Sequence, residues 1–119
     1  MESILYSVKT NIGCNVNEDH FDSDIILHIN SVFSALHQMG VGPEETFSIV
    51  DNKAIWDDFI DDDDFNFVKS YMYLEVKLLF DPPANSNLLA AMERQRDKLE
   101  WRLNVCASNK AMEENNNEQ

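Results

Sequence analysis

The fold is decided by residues 65–83, which read FNFVKSYMYLEVKLLFDPP. From Phe65 to Phe80 the stretch is apolar on nearly every side of a helix, so it has no face suited to water. Asp81-Pro82-Pro83 ends the helix, because proline has no N–H and restricts the residue before it. Such a helix lies at the centre of a bundle, or another subunit covers one of its faces. The residues leave both arrangements open.

Further helices are predicted on either side of this central one, because apolar residues recur there at spacings of three and four. They cover residues 3–12, a segment that Asp22 or Ser23 caps and Gly40 ends, residues 54–60, and residues 85–107. In the second of them the apolar stripe is Ile25, Ile29, Val32, Phe33 and Leu36, and in the last it is Leu88, Met92, Leu99, Leu103 and Cys106. A link of about five residues makes the last helix an antiparallel neighbour of the central one.

We therefore predict an all-α fold, a small helical bundle of about four to five helices with a long antiparallel C-terminal helix pair. The chain has 119 residues, which is the size of one domain. That domain is predicted to span residues 1–107. Residues 108–119 have almost no apolar content, and we expect a polar, disordered tail there.

Acidic residues are concentrated in the first half of the chain. The formal net charge is -13, and residues 1–68 hold only Lys9 and Lys53 as cations. Residues 69–119 are nearly balanced, so different surfaces should meet different partners. The overall charge argues against wrapping of nucleic acid and against docking on an anionic membrane. The two cysteines and the lack of a signal peptide or long apolar segment are typical of an intracellular protein outside membranes.

The densest group of acids suggests a calcium loop, but the spacing does not fit one. The group consists of Asp57, Asp58, Asp61, Asp62, Asp63 and Asp64. An EF-hand that began at Asp61 would place Asn66 at the glycine position and Met72 at the position of the bidentate glutamate. We expect instead a solvated acidic surface with at most weak attraction for cations.

Enzymatic signatures are missing as well. The three histidines form no zinc-binding pair, and no phosphate-binding glycine loop or nucleophile elbow is present. We therefore predict no catalytic residue, no metal site and no cofactor.

The last helix carries the candidate interaction site. Arg94, Lys98 and Arg102 follow one another at four-residue steps, with Trp101 beside them. We call these four residues the basic strip. Like charges at this spacing are mildly unfavourable within one helix, and a plain solvated surface would explain them equally well. Alternatively, the basic strip contacts an acidic surface on another copy of the chain, since Arg and Trp dominate interface energetics. A heterologous contact of this kind can close into a ring.

Several stretches resemble the small head–tail connector proteins of long-tailed bacteriophages. They are residues 68–83, the Ala91-Met92-Glu93 triplet with Leu99–Asn104, and the earlier segments 24–26, 29–33 and 40–43. The resemblance covers roughly residues 3–106 and rests on the order and spacing of these segments. It does not include the run Asp61–Asp64 or residues 108–119.

This resemblance implies a structural subunit and no enzyme. Members of the family are helical bundles that assemble into rings of about twelve copies beneath the portal. The ring extends the DNA channel and carries the next neck or tail protein. The resemblance thus implies the virion neck as location, with the host cytoplasm during assembly. DNA would pass without specific binding, since an acidic wall such as Asp57–Asp64 repels phosphate.

An acidic DNA mimic or inhibitor of phage origin is the alternative. Such a protein needs carboxylates that imitate two rows of phosphates on a rigid face. Clustering of four aspartates in one loop fits that requirement poorly. Competition with DNA for a DNA-binding protein would distinguish the two functions.

Overall fold

The computed structural model describes residues 2–60 and 67–117, without the side chains of residue 110 and residues 113–117. The described part contains five helices and no named strand. They are α1 (Ile4–Asn11), α2 (Asp22–Gln38), α3 (Trp56–Phe59), α4 (Val68–Phe80) and α5 (Ser86–Asn117). The predicted all-α bundle is therefore confirmed.

The short helix α1 forms where it was predicted, because both of its ends carry suitable residues. The Ser3 hydroxyl accepts a hydrogen bond from the Tyr6 N–H, which satisfies a free donor of the first turn. Gly13, just after the helix, has φ +86°, a conformation that glycine adopts without a side-chain clash. Ile4 and Val8 are fully buried, so α1 contributes one face to the core.

The helix α2 buries the predicted stripe in full. All five of its residues lie in the core. The predicted cap was wrong, however: Asp22 is already helical, and Phe21 is the N-cap without a side-chain hydrogen bond. The Asp22 carboxylate lies 2.7 Å from the Lys9 ammonium instead. An ion pair with a buried lysine thus replaces the local cap.

The predicted central helix is α4, and it packs against α1, α2 and α5. Val68, Tyr71, Met72 and Val76 are buried in these contacts. The side chain of Leu79 is still 46% exposed. Part of the apolar surface of α4 is therefore covered within one chain, and its C-terminal end remains partly in solvent.

The helix α5 runs antiparallel to α4, as predicted. Its Arg96 lies beside Glu75, and Glu100, one turn later, lies near Tyr71 at the other end of α4. Leu99 and Leu103 are buried, whereas Leu88 is 52% exposed. The prediction that Leu88 belongs to the core was therefore wrong.

The C-terminal end of α5 also differs from the prediction. The helix was expected to end near Ala107 and continues to Asn117. Ala, Met and Glu at positions 111–113 are strong helix formers, so local preference favours the longer helix. Met112 is accordingly 63% exposed.

Candidate subunit interface

The basic strip lies on the outer face of α5. Arg94, Lys98, Trp101 and Arg102 are all exposed, and the Trp101 side chain is 66% accessible to solvent. Each helical residue advances about 100° around the axis. Trp101 follows Leu99 and precedes Leu103 by two positions, so it points away from the core face that these leucines form.

The cations of the basic strip take no part in the salt bridges of the described residues. Those bridges use Lys9, Lys69, Lys77 and Arg96 instead. Three positive charges and an indole are thus presented to solvent on one helical face. An exposed tryptophan beside unpaired arginines is typical of a protein-binding surface.

Arg96, which the sequence did not single out, has a role within the subunit. Its guanidinium lies 3.3 Å from Glu75 on α4 and 2.9 Å from Asp97. The hydrogen bond with Asp97, helped by Glu75, raises the pKa of Arg96 above its usual value. One signal in the sequence could have distinguished Arg96 from the cations of the basic strip: it does not follow their four-residue spacing.

The predicted acidic surface is described only in part. Asp57 and Asp58 are exposed on α3, and Asp61, Asp62, Asp63 and Asp64 lie outside the described residues. The Asp58 carboxylate accepts a hydrogen bond of 3.0 Å from the Ile55 N–H. Asp58 therefore stabilises the first turn of α3, which accounts for one carboxylate of the cluster without any ligand.

Neither a metal-binding group nor a membrane span is present within residues 2–60 and 67–117. No group of three or more His, Cys, Asp or Glu residues in these ranges is placed to hold a metal ion. None of the helices described there is long and apolar enough to cross a membrane.

The family of this chain is identified by comparison with known protein families. The family described as "Phage connector protein" matches residues 4–110, which is nearly the whole chain. The chain belongs to this family. No match was found among the curated proteins or the solved structures.

The family match confirms the resemblance to connector proteins seen in the sequence. Phage connector proteins are structural components of the virion, and such components act through contacts with other proteins. The basic strip on α5 is therefore a candidate contact surface. In this connector protein, the matched range includes the whole basic strip. The exposed face of α5 therefore lies within the part of the chain that matches a family of structural virion proteins.

Proposed function

We propose that this connector protein is a subunit of a ring in the virion neck, which assembles in the host cytoplasm. The ring docks under the portal, extends the DNA channel and carries the next neck or tail protein. A ring of about twelve copies is expected from the resemblance to head–tail connectors. The observation that carries the proposal is the exposed basic strip on a chain of the connector family.

Subunits would join through the basic strip of one copy and the acidic first half of the next. A contact between two different surfaces can repeat around a ring without a symmetric patch. Trp101 supplies the apolar anchor, and Arg94, Lys98 and Arg102 supply the charge that selects an acidic partner. Added salt should weaken this contact, because ions screen exposed charges over about 10 Å at 0.1 M.

The acidic residues from Asp57 to Asp64 would face the channel. Asp57 and Asp58 are exposed, so their negative charges are available to face the channel. A negative wall keeps the phosphate backbone from binding, so DNA can move through the ring. A ring in which this segment faces outward would refute this part of the proposal.

Electron microscopy of the concentrated full chain, alone and mixed with the portal protein of the same phage, tests the connector function. We expect annular particles and binding to the portal. Trp101→Ala should reduce the number of annuli. Leu27→Ala should not, although Leu27 is equally exposed at 64%. A chain that neither forms annuli nor binds the portal would contradict the proposal.

A further inference from the structure

A cleft between α1, the start of α2 and the loop of residues 50–52 has the chemistry to receive the basic strip. Its volume is about 600 Å³, within the usual range of pockets that bind ligands. The lining combines apolar groups, among them Val16, Ile26 and Val50, with three carboxylates and no Lys or Arg. The carboxylates belong to Asp19, Asp22 and Asp51.

The charge of this cleft remains negative after its internal ion pair is counted. Lys9 pairs with Asp22 at 2.7 Å and is itself 1% exposed, so it offers no charge to a partner. Asp19 and Asp51 take part in none of the salt bridges of the described residues. The Asp51 carboxylate accepts a hydrogen bond of 2.9 Å from the Lys53 N–H, which leaves its charge uncompensated by a cation. Two carboxylates beside apolar surface complement a strip that consists of cations and one indole.

The apolar part of the cleft is held in position before any partner arrives. Val50 is 84% exposed, yet both sides of it are fixed. Asn30 donates to the Ile49 carbonyl at 3.0 Å and accepts from the Ile49 N–H at 2.8 Å. On the other side, the Ser3 hydroxyl donates to the Asn52 carbonyl at 2.7 Å. A fixed loop that exposes a valine loses little entropy on binding.

We infer that this cleft is the surface on which the basic strip of a second copy docks, with Trp101 against Val50 and the cations near Asp19 and Asp51. The inference rests on the proposed ring and names its acidic surface. The cleft belongs to α1, α2 and their neighbouring loop, whereas the basic strip belongs to α5. Because no residue is shared, each subunit can use both surfaces at once, which a head-to-tail ring requires.

Sedimentation equilibrium of two full-length variants tests the contact. The cleft variant combines Asp19→Lys with Val50→Ala, and the strip variant combines Lys98→Ala with Trp101→Ala, so that the two altered surfaces do not attract each other. Each should self-associate about tenfold more weakly than the wild type, or worse. An equal mixture should form a one-to-one dimer that does not grow, because only one intact strip and one intact cleft meet.

A matched control separates the cleft from general charge. Glu45→Lys makes the same charge change as Asp19→Lys at an exposed site outside the cleft and should leave association at the wild-type level. Circular dichroism melting verifies that every variant is folded. The inference is overturned if the cleft variant associates like the wild type, if Glu45→Lys weakens association equally, or if the wild type stays monomeric at its highest soluble concentration.

The same experiments separate failure of this inference from failure of the connector function. If the cleft variant still forms annuli and binds the portal, the docking cleft is wrong and the connector function stands. If the wild type neither associates nor binds the portal, both are wrong.

Discussion

Replacing Lys9 with methionine should destabilise the protein far more than the loss of a surface charge. The Lys9 side chain is 1% exposed. Because lysine is almost never fully buried without a partner, its contacts must compensate the buried charge. Its ammonium donates to the carbonyls of Val16 at 3.2 Å and Glu18 at 2.6 Å. The third contact is the Asp22 carboxylate, an ion-pair partner at 2.7 Å.

The size of the effect follows from what remains after the substitution. Each of the two carbonyls loses its donor, which costs about 1 kcal/mol where the group stays shielded from water. The Asp22 side chain is 27% exposed, although its Oδ1, the atom that faces Lys9, is buried. Water therefore compensates part of its loss, and about 1 kcal/mol remains. Methionine fills a similar volume, so we expect a total loss of about 3 kcal/mol, a large share of the 5–15 kcal/mol typical of a domain.

Urea unfolding followed by circular dichroism measures this loss. With a slope of about 1.5 kcal/mol per M, the midpoint should fall by roughly 2 M with the slope unchanged. Lys53→Met is the control, because Lys53 is exposed and should lose less than about 0.5 kcal/mol. A loss below about 1 kcal/mol for Lys9→Met would show that the three contacts do not hold the α1–α2 connection.

Three further substitutions test other parts of the fold. Asn30→Ala removes both hydrogen bonds to Ile49 and should cost about 2 kcal/mol in urea unfolding, with faster amide exchange at Ile49; unchanged exchange there would contradict this. Gly42→Ala should cost more than Gly13→Ala in thermal melting, because both have positive φ but only Gly42 has an aromatic ring where the new methyl would lie; equal losses would show that the ring moves aside. Burial and nearby carboxylates raise the pKa of Tyr71 to about 12. The contribution of its neutral phenol to the free energy of unfolding is therefore complete below about pH 10 and is lost as the pH rises to about 12. Tyr71→Phe should therefore lose less stability than the wild type over that range, and identical pH curves would contradict the assignment.

The helices and their inner faces were predictable because they depend on local order along the chain. Apolar spacing located the buried stripe of α2 from Ile25 to Leu36, and Gly13 marked the end of α1. The antiparallel pair of α4 and α5 followed from a link too short for another arrangement. The outward position of the basic strip follows from the same periodicity, since its residues lie off the stripe of Leu99 and Leu103.

Contacts between distant segments were outside the reach of that reasoning. Lys9 and Arg96 are two cations among nine in the composition, and nothing local distinguishes them from solvated ones. The packing of α1 against the start of α2 gives Lys9 its partner Asp22, and the packing of α4 against α5 adds Glu75 to the Asp97 carboxylate beside Arg96. Leu88 shows the reverse case, because its spacing matches a core position while its side chain stays 52% exposed.

The amino-acid order by itself determined the class of fold, the run of helices and membership in a connector family, because periodicity and turn residues act over a few positions. The tertiary structure alone decided which charged side chains form ion pairs within the subunit and which remain available to a partner. That division depends on distances between side chains far apart in the chain, since an ion pair forms only where folding brings its two groups within a few ångströms.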